Sequence, residues 1–288
     1  MNAISRNSIC LICGQTAAFI PFRILPKFLF GIRSKIYKCT SCGAGRTFPG
    51  PKTDAAYYES NEHYENLFSS KIVQYRKFSN QLIDFVLQAS TKLETPVSKG
   101  RLLDIGAGRG FLVEQACIRG FDAIGVELNR QNVQMANRNG IPLYESLVEF
   151  EKEDGSSTFD VLVFSAVLEH MPDPIQFVTS YKRYLRPGGL IVIVQAAFDG
   201  LLPSVAPWLW YGWQPREHFW HFDFKTIEVL LRRSGAQRWY IDRDSLHHTF
   251  AWSSSPKNLI GRNAGSALGR IGNRSGRGDQ IFAAAVLL

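Results

Sequence analysis

The stretch LLDIGAGRGF, residues 102–111, decides the fold of this 288-residue chain. Its first four residues predict a buried strand that contains an acid near its end. The three glycines that follow permit positive φ angles and let the backbone approach a ligand closely. The helix expected after them would direct its free N–H groups at that ligand. The stretch therefore predicts a strand–turn–helix unit that binds a small molecule above the turn.

A second acid, Glu127, follows another predicted strand and lies 23 residues after Asp104. That spacing suits a carboxylate that binds the two hydroxyls of a ribose. Asp104, near the end of the first strand, is placed to meet a cation or a polar donor. Together the two acids predict a nucleoside ligand that carries a positive group. The dinucleotide pattern G-x-G-x-x-G is the main alternative, but it needs glycine at position 111, where the chain has Phe111.

Strands and helices alternate from residue 101 onward, which is typical of a parallel α/β sheet. The first strands are apolar without alternation, as expected for strands that are buried on both faces. A helix over residues 71–87 precedes them, where apolar residues recur near helical spacing. Strands are predicted near residues 101–106, 123–128, 141–144, 159–165, 190–196, 237–242 and 280–287, and helices near residues 110–119, 130–138, 174–185 and 225–234.

Three segments, taken in order, resemble the class I S-adenosylmethionine (SAM) dependent methyltransferases. They are the Gly-rich turn, the strand at residues 159–164 with the sequence SAVLEHM after it, and YLRPGGL at residues 184–190. The resemblance covers roughly residues 99–245. It implies a Rossmann-like, mostly parallel seven-stranded sheet with helices on both faces, whose final strand runs antiparallel. It also implies an enzyme that transfers a methyl group from SAM.

The resemblance implies which residues bind SAM when the family motif is carried over position by position. Glu127 would bind the ribose hydroxyls, Asp104 would orient the amino-acid part of SAM, and Leu128 would pack on the adenine. Ordinary core packing is the alternative role for Leu128 and Val167. The implied cofactor-binding residues are Asp104, Gly106, Ala107, Gly108, Gly110, Glu127, Leu128, Ser165 and Val167.

Three histidines are candidates for a catalytic base that removes a proton from the acceptor. His170 follows the family's fourth strand, whereas His218 and His221 lie in residues 199–224, where this family usually inserts its substrate cover. Imidazole titrates near neutral pH and suits proton removal from a hydroxyl. A hydrogen-bonded structural role is the alternative for each of them. The pair at residues 247–248 has no further evident ligands, so the sequence does not support a catalytic metal.

Four tryptophans lie in the cover insertion at residues 199–224. Such rings can stack on sugar faces, pack on lipid or form a second core layer. The acceptor is accordingly expected to be a small molecule, a sugar or a lipid-linked glycan, because fold analogy cannot choose among them.

Four of the five cysteines form the pairs Cys10-x-x-Cys13 and Cys39-x-x-Cys42, with 25 residues between the pairs. Two such hairpins complete a closed tetrahedral site, which predicts a structural zinc ion rather than a catalytic one. Zinc would also stabilise a segment of about 50 residues that has too little core to fold alone. Disulfides are the alternative, which a cytosolic setting disfavours. The fifth cysteine, Cys117, is predicted to be a small core residue.

The predicted organisation has three parts. Residues 1–50 form a zinc-ribbon module, residues 51–98 a helical cap or linker, and residues 99–288 a SAM-binding methyltransferase domain. The net charge of +8 belongs to the N-terminal region, because residues 1–52 hold eight basic and no acidic residues and the rest of the chain is neutral. A second acid-free stretch, residues 245–278, predicts either a linker-like loop or a short basic amphipathic helix.

Basic segments attract anionic partners, although a solvated basic face is the simpler explanation. An RNA-directed methyltransferase is one alternative function, but we find no Asn/Asp-Pro-Pro-Tyr/Phe motif. A non-catalytic SAM-binding module is the other, which the intact turn and Glu127 disfavour. Peripheral membrane contact through the basic and aromatic segments is also compatible with the sequence. The chain has no run of 18 apolar residues and no secretory signal, so a cytoplasmic location is expected.

Overall fold

The computed structural model describes residues 8–26, 32–52, 57, 71–97, 99–154, 158–244 and 259–287. Strands and helices are numbered here in chain order. The strands are β1 (Ser8–Ile9), β2 (Thr16–Ala17), β3 (Phe19–Leu25), β4 (Ser34–Cys39), β5 (Gly45–Phe48), β6 (Arg101–Ile105), β7 (Asp122–Val126), β8 (Leu143–Tyr144), β9 (Phe159–Ser165), β10 (Leu185–Ala196), β11 (Trp220–His221), β12 (Ala236–Asp244) and β13 (Gln280–Leu287). The helices are α1 (Ile72–Lys92), α2 (Phe111–Ile118), α3 (Arg130–Arg138), α4 (Leu147–Asp154), α5 (Pro174–Tyr181), α6 (Leu201–Val205), α7 (Phe224–Arg233) and α8 (Leu259–Arg274).

Seven strands form the central sheet in the order β12-β13-β10-β9-β6-β7-β8. The pairs from β10 through β9, β6 and β7 to β8 are parallel, whereas β13 runs antiparallel to both β10 and β12. This confirms the predicted mostly parallel seven-stranded sheet. Strand order reverses between β6 and β9, and ligands bind at the carboxyl edge of such a reversal.

The central sheet is buried on both faces, as its continuous apolar strands predict. Leu103 and Ile105, on one face of β6, belong to one core cluster. Leu102, on the opposite face of the same strand, belongs to a second cluster. Helix α1 lies beside α2, where the rings of Tyr75 and Phe111 stack with centroids 5.4 Å apart. The helix predicted over residues 71–87 is therefore confirmed and extends five residues further.

Three helices were not resolved by the sequence patterns, among them the five-residue helix α6. Helix α4 was not predicted, and α8 shows that the basic stretch contains an amphipathic helix rather than a continuous loop. Residues 245–258 of that stretch, including the histidines at 247 and 248, lie outside the described residues, as does most of the cap segment between residues 53 and 70. Cys117 is exposed, so its predicted core position is wrong. It lies near the end of the short helix α2, where the chain turns towards β7.

The N-terminal region forms a second sheet with the order β11-β5-β4-β3. In this sheet Trp220 pairs with Arg46 and His221 pairs with Gly45. One strand of the N-terminal sheet thus comes from the end of the predicted cover insertion, more than 170 residues away along the chain. The predicted domain boundaries remain predictions, but this sheet is not completed by residues 1–50 alone.

Three of the four cover tryptophans form core rather than surface. Trp210, Trp213 and Trp220 are at most 2% exposed, whereas Trp208 is 58% exposed. Trp213 packs edge to face on Trp210, with centroids 4.6 Å apart, and its Nε1 donates to the carbonyl of Pro207 at 2.8 Å. The second-core-layer interpretation therefore holds for three rings, and Trp208 alone of the four presents a large free surface.

Among the described helices, none has both the length and the apolar character that a membrane span requires.

Candidate functional site

The Gly-rich turn lies between the end of β6 and the start of α2, as the sequence predicts. The φ angles of Gly106, Gly108 and Gly110 are +75°, +56° and +75°, which side chains rarely adopt. A Cβ atom on Gly106 would lie 2.7 Å from Cγ2 of Val167, in the loop after β9. Only glycine fits at position 106 without a shift, so two of the predicted cofactor residues are in close contact across the sheet edge.

Glu127 is held directly against this turn. Its Oε2 accepts a hydrogen bond from the backbone N–H of Gly108 at 2.7 Å, and its Oε1 accepts one from Asn129 at 2.8 Å. The backbone N–H of Ala107 also donates to Val126, the last residue of β7, at 3.0 Å. Burial raises the pKa of Glu127, while these backbone donors oppose that rise. The structure thus places Glu127, the residue predicted to bind the ribose, in contact with the predicted turn.

Asp104 is 4% exposed and lies one residue before the end of β6. Burial, and then the nearby charge of Glu127, raise the pKa of Asp104 to about 7. The Asp104 carboxyl is therefore about half protonated at neutral pH. A cation bound beside it would favour the ionised form, because opposite charges stabilise each other in a buried site.

The loop after β9 borders the same edge of the sheet. Ser165 ends β9, and Ala166 has a φ angle of +54°, which is uncommon for a residue with a side chain. Residues in such backbone conformations cluster at functional sites. On the other side of the turn, Leu128 is 53% exposed and follows Glu127 directly. Its role as an adenine contact stays a prediction.

The three candidate bases lie near one another but differ in surroundings. His170 is half-buried in a 3-10 turn spanning Leu168–His170 and contacts His218 edge to face, with centroids 4.7 Å apart. His218 is buried, and its Nδ1 lies 2.9 Å from the carbonyl oxygen of Gly212. His221 is buried in β11, where its Nε2 lies 2.8 Å from Oγ1 of Thr47 in the N-terminal sheet. His221 therefore belongs to the contact between the cover and that sheet.

Burial makes two of these histidines weak bases. Desolvation, with smaller effects from His170 and His221, holds the pKa of His218 well below its ordinary value, and desolvation lowers the pKa of His221 to about 3. Both rings are neutral at physiological pH. General-base catalysis works best when the pKa of the base lies near the working pH. A catalytic-base role for His170, His218 or His221 stays a prediction.

Sequence reasoning missed Glu169, the residue before His170. Its side chain is 5% exposed, and burial raises the pKa of its carboxyl, while the nearby His170 and a hydrogen bond with Gln195 oppose that rise. The available signal was an acid directly before a candidate histidine at the end of a strand. That pattern alone does not show that the acid is buried.

The four N-terminal cysteines meet as their spacing predicts. One sulfur from each of Cys10, Cys13, Cys39 and Cys42 lies within 4.8 Å of the others, and the Sγ atoms of Cys10 and Cys42 are 3.8 Å apart. Sulfurs bound to one tetrahedral zinc at about 2.3 Å would be about 3.8 Å apart. All four are free thiols, which argues against the disulfide alternative. The donor set fits a zinc ion.

Backbone geometry supports both cysteine hairpins. Gly14 and Gly43, which follow the two pairs, have φ angles of +72° and +87° and donate to the carbonyls of Cys10 and Cys39 at 2.7 and 2.9 Å. The Sγ atoms of Cys10 and Cys42 share a hydrogen bond in which either thiol can be the donor, and this hydrogen bond lowers the pKa of the thiol that accepts it. Metal binding needs thiolates, and this hydrogen bond favours the first one.

Comparison with known proteins gives a consistent set of relatives. A family model described as a methyltransferase domain matches residues 74–240, more than half of the chain. The ubiquinone biosynthesis O-methyltransferase of Cereibacter sphaeroides is 33% identical over 174 residues, which cover 55% of this chain and 69% of that protein. The protein of the same name from Idiomarina loihiensis is 30% identical over 150 residues, covering 47% and 60%. The chain thus spans only part of the length of these relatives.

Solved structures share the fold at low sequence identity. A SAM-dependent methyltransferase from Archaeoglobus fulgidus matches with a TM-score of 0.51 and 19% identity, covering 78% of this chain and all of that one. Phosphoethanolamine N-methyltransferase 2 of Haemonchus contortus, solved with SAM, matches with a TM-score of 0.53 and 17% identity, covering 84% and 62%.

Proposed function

Because the chain belongs to the methyltransferase-domain family and has the class I fold, we propose that it transfers the methyl group of SAM to a hydroxyl oxygen of a small molecule. The observation that carries the proposal is the contact between Glu127 and the backbone N–H of Gly108. It joins the acid that we propose to bind the ribose to the Gly-rich turn after β6. The relatives named above as O-methyltransferases support oxygen as the acceptor atom.

The proposed reaction is an in-line displacement at the methyl carbon. The acceptor oxygen forms a bond to that carbon as the bond from carbon to the SAM sulfur breaks, and the hydroxyl proton leaves to a base or to water. The products are a methyl ether, S-adenosylhomocysteine and a proton. Much of the rate increase in such a reaction comes from holding the two reactants in line.

Incubating the protein with methyl-labelled SAM tests the function directly. The acceptor fractions to compare are small hydroxyl-containing molecules (sugars included), lipid-linked glycans, RNA and proteins. Label in the methyl ether of a small molecule supports the proposal, whereas label only in lipid-linked glycan, RNA or protein contradicts it. Failure to label any fraction, together with tight SAM binding, would favour the non-catalytic module instead.

Replacing Glu127 with alanine should weaken SAM binding by about 1–3 kcal/mol, because the hydrogen bonds to the ribose hydroxyls would be lost. That loss corresponds to a rise in Kd of about 5- to 150-fold. Isothermal titration calorimetry measures the change. Glu151→Ala, an exposed acid on α4, is the matched control and should leave the Kd unchanged. Tight binding of NAD, or an unchanged Kd for Glu127→Ala, would contradict the assignment of the cofactor.

Binding of SAM near pH 7 should release a fraction of a proton from Asp104. The ligand-free pKa of about 7 leaves this carboxyl about half protonated, and the cationic groups of SAM would lower that pKa. The release should shrink as the pH rises towards 9, where Asp104 is already ionised. Calorimetry in two buffers of different ionisation enthalpy counts the protons. Asp104→Asn should abolish this part of the release, and an unchanged proton count in that variant would place the titrating group elsewhere.

We also propose that Cys10, Cys13, Cys39 and Cys42 bind one structural zinc ion. Their mutual distances and free thiols support this. With four protein ligands the ion would have no open position, so its effect would be on folding rather than on chemistry.

A further inference from the structure

A bulge in β3 places Arg23 on the inner face of the N-terminal sheet. Pro21 lies opposite Tyr37, but two residues later Arg23 lies opposite Ile36 instead of Lys35. Strand β3 therefore contains one extra residue, and such a one-residue shift moves the side chains that follow it to the other face. Ile36 is fully buried in a core cluster that the sheet shares with the cover. The bulge thus brings a cation to the contact between these two parts of the fold.

Arg23 contacts aromatic rings rather than an acid. Its guanidinium carbon lies 5.3 Å from the ring centroid of Phe22 and 5.2 Å from that of Trp213. Its Nε is buried without a hydrogen-bond partner, and no carboxylate in the part of the chain that the structure describes lies within ion-pair distance of it. Burial therefore lowers the pKa of Arg23, because the charged form loses hydration without gaining a counter-charge. An anion bound beside Arg23 would supply the missing counter-charge.

Lys38 brings a second positive charge to the same rings. Its Nζ lies 5.5 Å from the ring centroid of Phe22 and 5.1 Å from that of Phe198. Asp223 offsets part of this charge, with Oδ2 3.8 Å from Nζ, while its Oδ1 accepts a hydrogen bond from the backbone N–H of Thr226 at 2.8 Å. Two cations beside one carboxylate leave a net positive charge. We refer to the following five residues as the cation–aromatic cluster: Phe22, Arg23, Lys38, Phe198 and Trp213.

The cation–aromatic cluster lies at the same edge of the central sheet as the Gly-rich turn. Phe198 is two residues beyond the end of β10, and only β9 separates β10 from β6. These three strands are parallel, and neighbouring strands are about 4.8 Å apart, so the ends of β10 and β6 are about 10 Å apart. Trp213 also contacts His221, with ring centroids 5.2 Å apart. The cluster therefore borders the edge at which we propose that SAM and the acceptor bind.

We propose that Arg23 and Lys38 bind a phosphate group of the methyl acceptor, which would make the acceptor a water-soluble phosphate ester with a free hydroxyl. The guanidinium of arginine presents a planar fork of donors that matches phosphate oxygens, and lysine adds a point charge. A phosphate offers more acceptor oxygens than a carboxylate and can satisfy both cations at once. Phe22 is 39% exposed, so its ring can pack on the sugar or base that carries the phosphate.

This phosphate would hold the acceptor at a point away from the reacting hydroxyl. Binding energy from a part of the substrate that does not react can align the atoms that do. Arg23 and Lys38 take no part in the bond changes, so they would determine which acceptor binds and how it is oriented. The identity of the acceptor rests on the proposed methyl transfer, whereas phosphate binding itself does not.

Phosphate binding to the purified full chain tests the site without any methyl transfer. Calorimetry measures the Kd for inorganic phosphate, glucose 1-phosphate and uridine diphosphate. Arg23→Gln should raise the Kd for the tightest of these probes by at least about tenfold, because charge-assisted hydrogen bonds to a partly buried cation are lost. Arg23→Lys keeps the charge but not the fork, so its Kd should lie between those two values. Tightest binding of glucose 1-phosphate would support a sugar phosphate as the acceptor, and tightest binding of uridine diphosphate a nucleotide-linked acceptor.

Lys35→Gln is the matched control, because Lys35 is exposed on the opposite face of the same sheet. It removes the same charge from the N-terminal sheet and should change the Kd by less than about twofold at physiological ionic strength, where exposed charges are screened. Equal effects of Arg23→Gln and Lys35→Gln would mean that phosphate responds only to the general positive charge, and would overturn the site. Failure of the wild type to bind any of the three probes would do the same. An unchanged Kd for SAM shows that Arg23→Gln is folded.

The two proposals can fail separately in these experiments. Phosphate binding that depends on Arg23, without methylation of any acceptor, would support the site and contradict the proposed function. Methylation of an uncharged small molecule, without phosphate binding, would support the proposed function and overturn the site.

Discussion

Replacing Cys39 and Cys42 with serine should remove one zinc ion per chain and unfold the N-terminal sheet. Structural zinc contributes an apparent binding free energy of about 10–16 kcal/mol in small zinc domains, comparable to or larger than the whole stability of a typical domain. Strand β4 ends at Cys39, so loss of the ion would release the strands that it holds. Elemental analysis reports the ion, and limited proteolysis within residues 8–52 reports the unfolding.

The same variant should lose methyl transfer while it still binds SAM. Strand β11 pairs with β5, so unfolding of the N-terminal sheet would displace the segment that contains His218, whereas the Gly-rich turn belongs to the central sheet. We expect the Kd for SAM to change by no more than about threefold, less than 1 kcal/mol. Cys117→Ser, an exposed position outside the cluster, is the control and should leave zinc content and proteolysis unchanged. Unchanged zinc content in the double variant would contradict the zinc assignment.

Replacing Gly106 with alanine should destabilise the turn and sharply weaken SAM binding. Forcing a residue with a side chain to a φ angle of +75° costs about 1–2 kcal/mol, and the clash of its Cβ with Val167 adds about 1–3 kcal/mol of overpacking. If the turn shifts to relieve the clash, the backbone donors move and the Kd for SAM should rise at least tenfold, about 1.4 kcal/mol. Chemical denaturation and calorimetry measure the two effects.

Gly140 provides a matched control, since its φ angle is +74° but a Cβ there would meet nothing within 4 Å. Gly140→Ala should show the backbone cost alone and should bind SAM normally. Adding Val167→Ala to Gly106→Ala should recover part of the lost stability, because it removes the clashing methyl groups. If Gly106→Ala and Gly140→Ala have equal effects on SAM binding, the contact with Val167 is not what positions the turn.

The central sheet could be predicted from sequence because its signals are local. Apolar strands without alternation, glycines at a turn and an acid at a strand end are all visible within short windows. The clustering of the two cysteine pairs could also be predicted, since the spacing of the ligands is a property of each hairpin. The sequence placed Glu127 and the Gly-rich turn around one ligand, whereas the direct contact between Glu127 and Gly108 is a finding of the structure.

The remaining features depend on contacts that no local pattern encodes. Burial of Glu169 results from the packing of the cover onto the turn after β9, and the pairing of β11 with β5 joins residues far apart in the chain. The two-residue length of β11 gives no periodicity to detect. The cover tryptophans were ambiguous for a related reason, because composition does not tell a buried ring from an exposed one.

The pairing of β11 with β5 also determines when the N-terminal sheet can be completed during synthesis. Ribosomes add about 5–20 residues per second, so the roughly 170 residues between Phe48 and Trp220 take about 10–30 s to make. Both cysteine pairs are available early in that interval, and a bound metal would already close the two hairpins. The backbone N–H and C=O groups on the outer edge of β5, however, cannot pair with β11 until residues 220–221 have been made. During synthesis the exposed edge of β5 must therefore avoid non-native strand pairing until most strands of the central sheet have emerged from the ribosome.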